Sequence, residues 1–237
     1  MRILLMSLIF GWVFSCQEGE KETKTPLASP IQQTKPLRAA FLVVDGVYNS
    51  ELIAPMDVFQ HTRFHTSNAI EVFTIAPKRD TITTFEGLKL IPDYGFEDHY
   101  PAIDILVVPS AEHSMDTDLE NETLLTFVAL SGKQALYTLS LCDGAFVLAE
   151  AKLLDTYECT TFPGDIAKFK RAYPKLKVHE NVSFVHDRRA ITSAGGAKSY
   201  DAALYMVELL YGKEVADGIA KGLVIEWNVS QVKHIQT

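Results

Sequence analysis

The sequence predicts one α/β domain built on a mostly parallel sheet with helices on both faces. Three observations lead there. Short runs of apolar and β-branched residues recur at 38–44, 70–76, 103–109 and 135–141, and near-continuous apolar runs of this length suit strands buried on both sides. Stretches with helical spacing alternate with them, as in βαβ units. No internal repeat or change of composition divides residues 37–237.

Taken in order, residues 38–44 form the first core strand, ended by the turn pair Asp45 and Gly46. Ser50 to Ile53 resembles a helix start, but Pro55 cannot donate within a helix already under way. The helix is therefore expected to run from Pro55 to Thr62, leaving Glu51 in an irregular turn before it. Residues 70–76 form a second strand, and residues 81–92 a hairpin about Glu86 and Gly87. A strand at 103–109, a helix at about 118–130 and a strand at 135–141 follow. After Cys142 come a helix to about Lys152, an extended piece at 157–160, a helix at 163–172 and an extended piece at 177–179. Two strands, at 184–185 and 190–193, flank Asp187, Arg188 and Arg189. Ala203, Met206, Val207 and Leu210 then mark a helix that stops at Gly212, and a helix at 213–223 finishes the core.

The N-terminus belongs to a different class of segment. Arg2, an apolar run of about a dozen residues and then Ser15 and Cys16 read as a signal peptide, 1–15, too short for the roughly 20 residues of a permanent span. Residues 13–16 resemble a bacterial lipoprotein cleavage box, which implies lipidation at Cys16 and a membrane contact made through acyl chains. Residues 16–36, rich in Glu, Lys, Thr, Gln and Pro, form a flexible tether. The expected location is the bacterial cell envelope, lipid-anchored on the periplasmic or surface face. A net charge of -8 with no Lys/Arg-dense block argues against nucleic acid as a partner.

Chemistry concentrates at Cys142. It follows an apolar strand, precedes a helix, and has Ser140 and Gly144 two places to either side. That small-x-nucleophile-x-small spacing suits a sharp strand-to-helix turn, a nucleophile elbow, because bulky flanks would collide. Such a turn exposes the side chain at the carboxyl edge of the sheet, where a helix N-terminus favours a thiolate. Cys159 reads as a small buried hydrophobe. The histidines show no ligand spacing, so neither a metal nor a cofactor is expected.

Residues 142–149 (CDGAFVLA), Leu153 to Asp155, Cys159 to Thr161 and residues 191–196 (ITSAGG) together resemble the ThiJ/PfpI superfamily, and so does the 51–59 segment. The resemblance covers residues 37–223 and implies a flavodoxin-like sandwich, the class I glutamine amidotransferase-like fold. The similarity is greatest to the branch containing isonitrile hydratases and the sensor domains of AraC-type regulators. The helix-turn-helix pair of such regulators is not expected before Thr237. The resemblance implies a nucleophilic Cys142 with the Glu51 carboxyl beside it, and a pocket involving Gly144, Ser110, Ala111 and Gly195. In relatives the strand end at 110–111 often supplies amides that bind an oxyanion.

Two departures stand out. Asp143 replaces the Thr common in isonitrile hydratases, and a carboxylate turned inward there disfavours a thiolate. Phe162 stands where many relatives carry His. His113 could replace that base, or be a solvated loop residue. The expected function is cysteine-dependent hydration or hydrolysis of a small molecule, isonitrile hydratase-like. The alternatives are a non-catalytic sensor domain that binds a small molecule, or an oxidant-responsive thiol. The family resemblance further implies a homodimer.

Overall fold

The computed structural model describes residues 35–237. The expected signal peptide, Cys16 and nearly all of the tether lie outside the described residues. From Lys35 the chain enters β1 (Arg38–Leu42), passes through α1 (Asn49–His61) and reaches β2 (Glu71–Ala76). A hairpin of β3 (Ile82–Thr83) and β4 (Lys89–Leu90) and the short β5 (Tyr94–Gly95) come next. β6 (Ile105–Val108), α2 (Glu122–Gln134), β7 (Tyr137–Leu141) and α3 (Gly144–Glu150) form the central unit. Then come β8 (Glu158–Cys159), α4 (Ile166–Ala172), β9 (Lys177–Val178) and the hairpin of β10 (Phe184–Asp187) with β11 (Ala190–Ser193). The chain closes with α5 (Lys198–Tyr211), α6 (Lys213–Gly222) and β12 (His234–Gln236).

The main sheet has the order β12-β10-β11-β7-β6-β1-β2-β5. Its pairs are parallel except β10 with β11. Alternation along the central strands fills both faces. Ala39, Phe41, Ile105 and Val107 pack with Leu52 and Phe59 of α1, Leu204 of α5 and Ile219 of α6. Ala40, Leu42, Leu106 and Val108 pack with Val128 of α2, Leu148 of α3 and Phe169 of α4. Each large apolar side chain so buried contributes about 1.5–3 kcal/mol. The α/β class expected from the sequence is the one found.

Three element readings are corrected. α1 begins at Asn49, so Glu51 lies in its first turn and Pro55 lies inside it. The missing proline donor leaves one unmade bond, to the Glu51 carbonyl, while burial of Leu52, Ala54, Val58 and Phe59 holds the whole helix on the sheet. α2 starts later than residue 118, because residues 117–120 form a 3-10 turn and Asn121 caps the helix by accepting from the Leu124 N–H at 3.1 Å. β5 and β12, which the sequence reading passed over, extend the two edges of the sheet, so α6 does not finish the core.

Connections from β1 through α1 and from β6 through α2 leave on opposite faces of the sheet. Neighbouring strands with opposite crossovers open a crevice at their carboxyl ends. An isolated bridge between Val47 and Ala111 ties the two loops across that crevice. Among the described residues, no helix is long and apolar enough to cross a membrane.

Candidate active site at the Cys142 elbow

Cys142 has a φ of 53°, in the left-handed region that a non-glycine residue seldom adopts. Its surroundings enforce this conformation. The Cys142 N–H donates to the Ser193 carbonyl at 3.0 Å, which anchors the elbow to the end of β11. A Cβ at Gly195 would stand 2.3 Å from the Cys142 Cβ, and one at Gly144 would stand 2.0 Å from the Val108 carbonyl oxygen. Only glycine fits at either position. Strain held by packing of this kind recurs at functional sites.

Three segments converge on the sulfur. From the elbow itself, Asp143 brings Oδ2 to 3.8 Å from Sγ, a long thiol hydrogen bond. From the end of β6, the buried Ser110 hydroxyl donates to Glu51 Oε2 at 3.2 Å and lies within reach of the sulfur as well. From α1, Glu51 accepts a second bond at Oε1, from the Gly196 N–H at 2.8 Å. Glu51 acts on the thiol by its charge, and Ser110 is a neighbour common to both. Thr161 adds a fourth component, with its hydroxyl 2.9 Å from Asp143 Oδ1 and 3.0 Å from the Cys142 carbonyl.

Electrostatics at the site run against the simple elbow expectation. Burial first, then the charges of Asp143 and Glu51, push the Cys142 thiol well above its ordinary range; the Ser110 hydroxyl and the Asp143 N–H ease it only in part. The seven-residue α3 does not offset two carboxylates, so the resting thiol is neutral. Burial also raises Glu51, although the Gly196, Ser110 and Ser50 donors oppose that shift. Asp143 is raised to about 6, chiefly by burial, with Thr161 opposing.

His113 does not join this group. It is half exposed and pairs with Asp116 at 3.1 Å. Phe162 is exposed at 44%, so neither residue supplies a base at the sulfur. Of the amides expected to hold an oxyanion, that of Ala111 is engaged elsewhere, donating to Ser114 Oγ at 2.8 Å. Cys142 and Cys159 are both free thiols, and Cys159 is fully buried. Among the described residues there is no cluster of metal-ligating side chains.

Sequence reasoning passed over Tyr48 and Thr161. Tyr48 precedes α1, its N–H donates to the Ser110 carbonyl at 3.1 Å, and its ring lies 4.6 Å from that of Phe85. Its phenol is raised first by burial and then by Cys142, which marks it as a wall of the site. A groove of about 590 Å³, lined in part by Pro163, Ala194, Lys198 and Lys233, contains none of these site residues.

An open α/β sheet with a strained cysteine elbow at its carboxyl edge defines a general class of site. The chain belongs to the DJ-1/PfpI family, whose model matches residues 37–209. It is 26% identical over 198 residues to the HTH-type transcriptional regulator GbdR of Pseudomonas aeruginosa, covering 83% of this chain and 53% of the regulator. The match therefore spans about half of that relative's length. It is 29% identical over 182 residues to isonitrile hydratase of Pseudomonas putida, covering 76% of this chain and 75% of the hydratase. In fold it is similar to a THiJ/PfpI family protein from Pseudomonas syringae, with a TM-score of 0.70 and 23% identity over 86% of this chain and 84% of that one.

Proposed function

We propose that this protein uses Cys142 to add water to, or hydrolyse, a small molecule at an electrophilic carbon, in the manner of an isonitrile hydratase. The observation that carries the reading is the linked set of Cys142, Ser110 and Glu51 at a positive-φ elbow. A carboxyl whose hold on a proton is strengthened by burial can donate one to negative charge that develops on the substrate, and Ser110 extends its reach to the sulfur. Cys142 supplies the nucleophile. The similarity to isonitrile hydratase supports an isonitrile as the first substrate to try.

The test is incubation of the full chain with a small alkyl isonitrile, with formamide product measured by NMR. Turnover is expected for the native protein and is expected to vanish in Cys142→Ala. Turnover that survives in that variant would overturn the reading. A second reading, a binding module without chemistry, is favoured by the neutral thiol and by the similarity to a regulator. It predicts that the isonitrile raises the unfolding temperature, unconsumed, in both native protein and Cys142→Ser. An oxidant-responsive role fits less well, because peroxide attacks thiolates and this thiol is held protonated.

The same proposal places the protein in the bacterial cell envelope, held by acyl chains on Cys16, on the strength of the charged, apolar and small-residue pattern of residues 1–16. Cys16→Ser is expected to move the protein from the detergent phase to the aqueous phase of a membrane extract.

A further inference from the structure

A neutral thiol can attack only if something takes its proton as the new bond forms. Relatives with a histidine after the Thr pair would have a base to hand, but here that position is the exposed Phe162. We propose that Asp143 is the proton acceptor of Cys142, and that Thr161 is the positioning residue that holds Asp143 in both of its protonation states. The inference rests on the reading of Cys142 as a nucleophile and adds the residue that activates it.

Geometry carries the assignment. Asp143 Oδ2 is the acceptor of the thiol, at 3.8 Å, while Oδ1 is turned to Thr161 at 2.9 Å. The Thr161 hydroxyl has two acceptors in reach, Asp143 Oδ1 and the Cys142 carbonyl at 3.0 Å, but only one hydrogen to give. With Asp143 ionised, that hydrogen points to the carboxylate. Once Oδ2 has taken the thiol proton, its O–H stays directed at the sulfur while the Thr161 hydrogen remains on Oδ1. The bond from Thr161 to Oδ1 thus holds the carboxyl in place in both states, while burial penalises the ionised one. Both residues are buried, with Thr161 at 0% exposure.

The groups that face Asp143 come from several elements. They are the Cys142 thiol at the elbow, Thr161 after β8, Asp165 before α4, Glu51 in α1 and the Tyr48 phenol ahead of α1. All are acidic or neutral; burial, with the charges of Asp165 and Glu51 adding to it and the Thr161 and Cys142 hydrogen bonds opposing, holds the carboxyl at about 6. An acceptor poised there is ionised at neutral pH yet basic enough to take a proton, as general-base catalysis requires.

The step balances. The S–H bond breaks, its proton passes to Asp143 Oδ2, and the sulfur pair forms the bond to the electrophilic carbon. The pair displaced on the substrate takes the Ser110 hydrogen, which turns away from Glu51 as Ser110 accepts a proton from the acid form of Glu51. Water then replaces sulfur on that carbon and gives its proton to Glu51, while the departing sulfur recovers its own from Asp143.

The test uses the full chain and neutral iodoacetamide, so it needs no natural substrate, with alkylation at Cys142 read by peptide mass spectrometry from pH 5 to 9. In the native protein the rate is expected to rise through a step near pH 6, as Asp143 ionises. Asp143→Asn is expected to lose that step and to react about tenfold or more slowly at pH 7. Thr161→Val is expected to move the step to higher pH, and Thr161→Ser to restore it. If Asp143 acted only as a neighbouring charge, Asp143→Asn would instead lower the thiol pKa and react faster at every pH, which would overturn the proposal. Absence of isonitrile turnover alongside a retained pH step would sink the assigned reaction and leave the proton acceptor in place.

Discussion

Replacing Asp143 by Asn removes a charge that folding has to bury. Its carboxyl is held at about 6 in the folded protein against an ordinary 3.8, so folding favours the protonated form. Stability from this group is full below about pH 4 and is lost as the pH rises through about 6. Asp143→Asn is therefore expected to be more stable than the native protein above pH 7, by on the order of 1–3 kcal/mol. Toward pH 4 the difference should shrink. Urea unfolding at pH 4.5 and pH 7.5 measures both values, and an equal difference at the two would show that burial of the charge is not its source. The same substitution is expected to slow the thiol, so one residue costs stability and supplies reactivity.

At the scale of elements, the site depends on strand ends and on the helices that connect them. α2 links β6, which leads into Ser110, to β7, which leads into Cys142. The Asn121 side chain satisfies the Leu124 N–H at its start and is itself exposed. Asn121→Ala is expected to cost about 1 kcal/mol of stability. Denaturant titration measures it, and alkylation at Cys142 should be unchanged, since neither strand end moves. A loss of thiol reactivity larger than the loss of stability would mean that α2 tunes the site directly.

The elements also show what was legible in the residues. The elbow announced itself locally, because a short apolar strand, small flanks and a helix lie within ten positions of Cys142. Glu51 was placed near the sulfur but outside a helix, since a rule about one missing donor at Pro55 was weighed without the four apolar residues that hold α1 down. Ser110 was named as pocket lining, yet its part as the link between Glu51 and the sulfur depends on a bond spanning 59 residues. Thr161 and Tyr48 reach Cys142 from loops 19 and 94 positions away, one by hydrogen bonding and one by electrostatic proximity. No spacing pattern encodes such an approach. It exists only once the sheet order is set.

For the whole molecule, the reversed strands at one edge matter most. β12 pairs with β10, and the His234 ring stacks 4.8 Å from that of Phe184. Deleting residues 229–237 would leave β10 as an exposed edge beside a core phenylalanine. The truncated chain is expected to melt about 5 °C or more below the intact one and to self-associate more readily. Thermal unfolding and light scattering would show this, and an unchanged melting point with unchanged mass would mean that β12 adds nothing to the sheet.

The direction of the strands also gives the molecule a front and a back. β1, β6, β7 and β11 all run toward the edge that carries Glu51, Ser110, Cys142 and Gly195, so Lys35 enters at the opposite edge. β12 runs against β11, so Thr237 leaves at that same far edge. Were the body held from residue 35, as the proposed anchor requires, the edge with Cys142 would face away from the support and residues 35 and 237 would lie toward it.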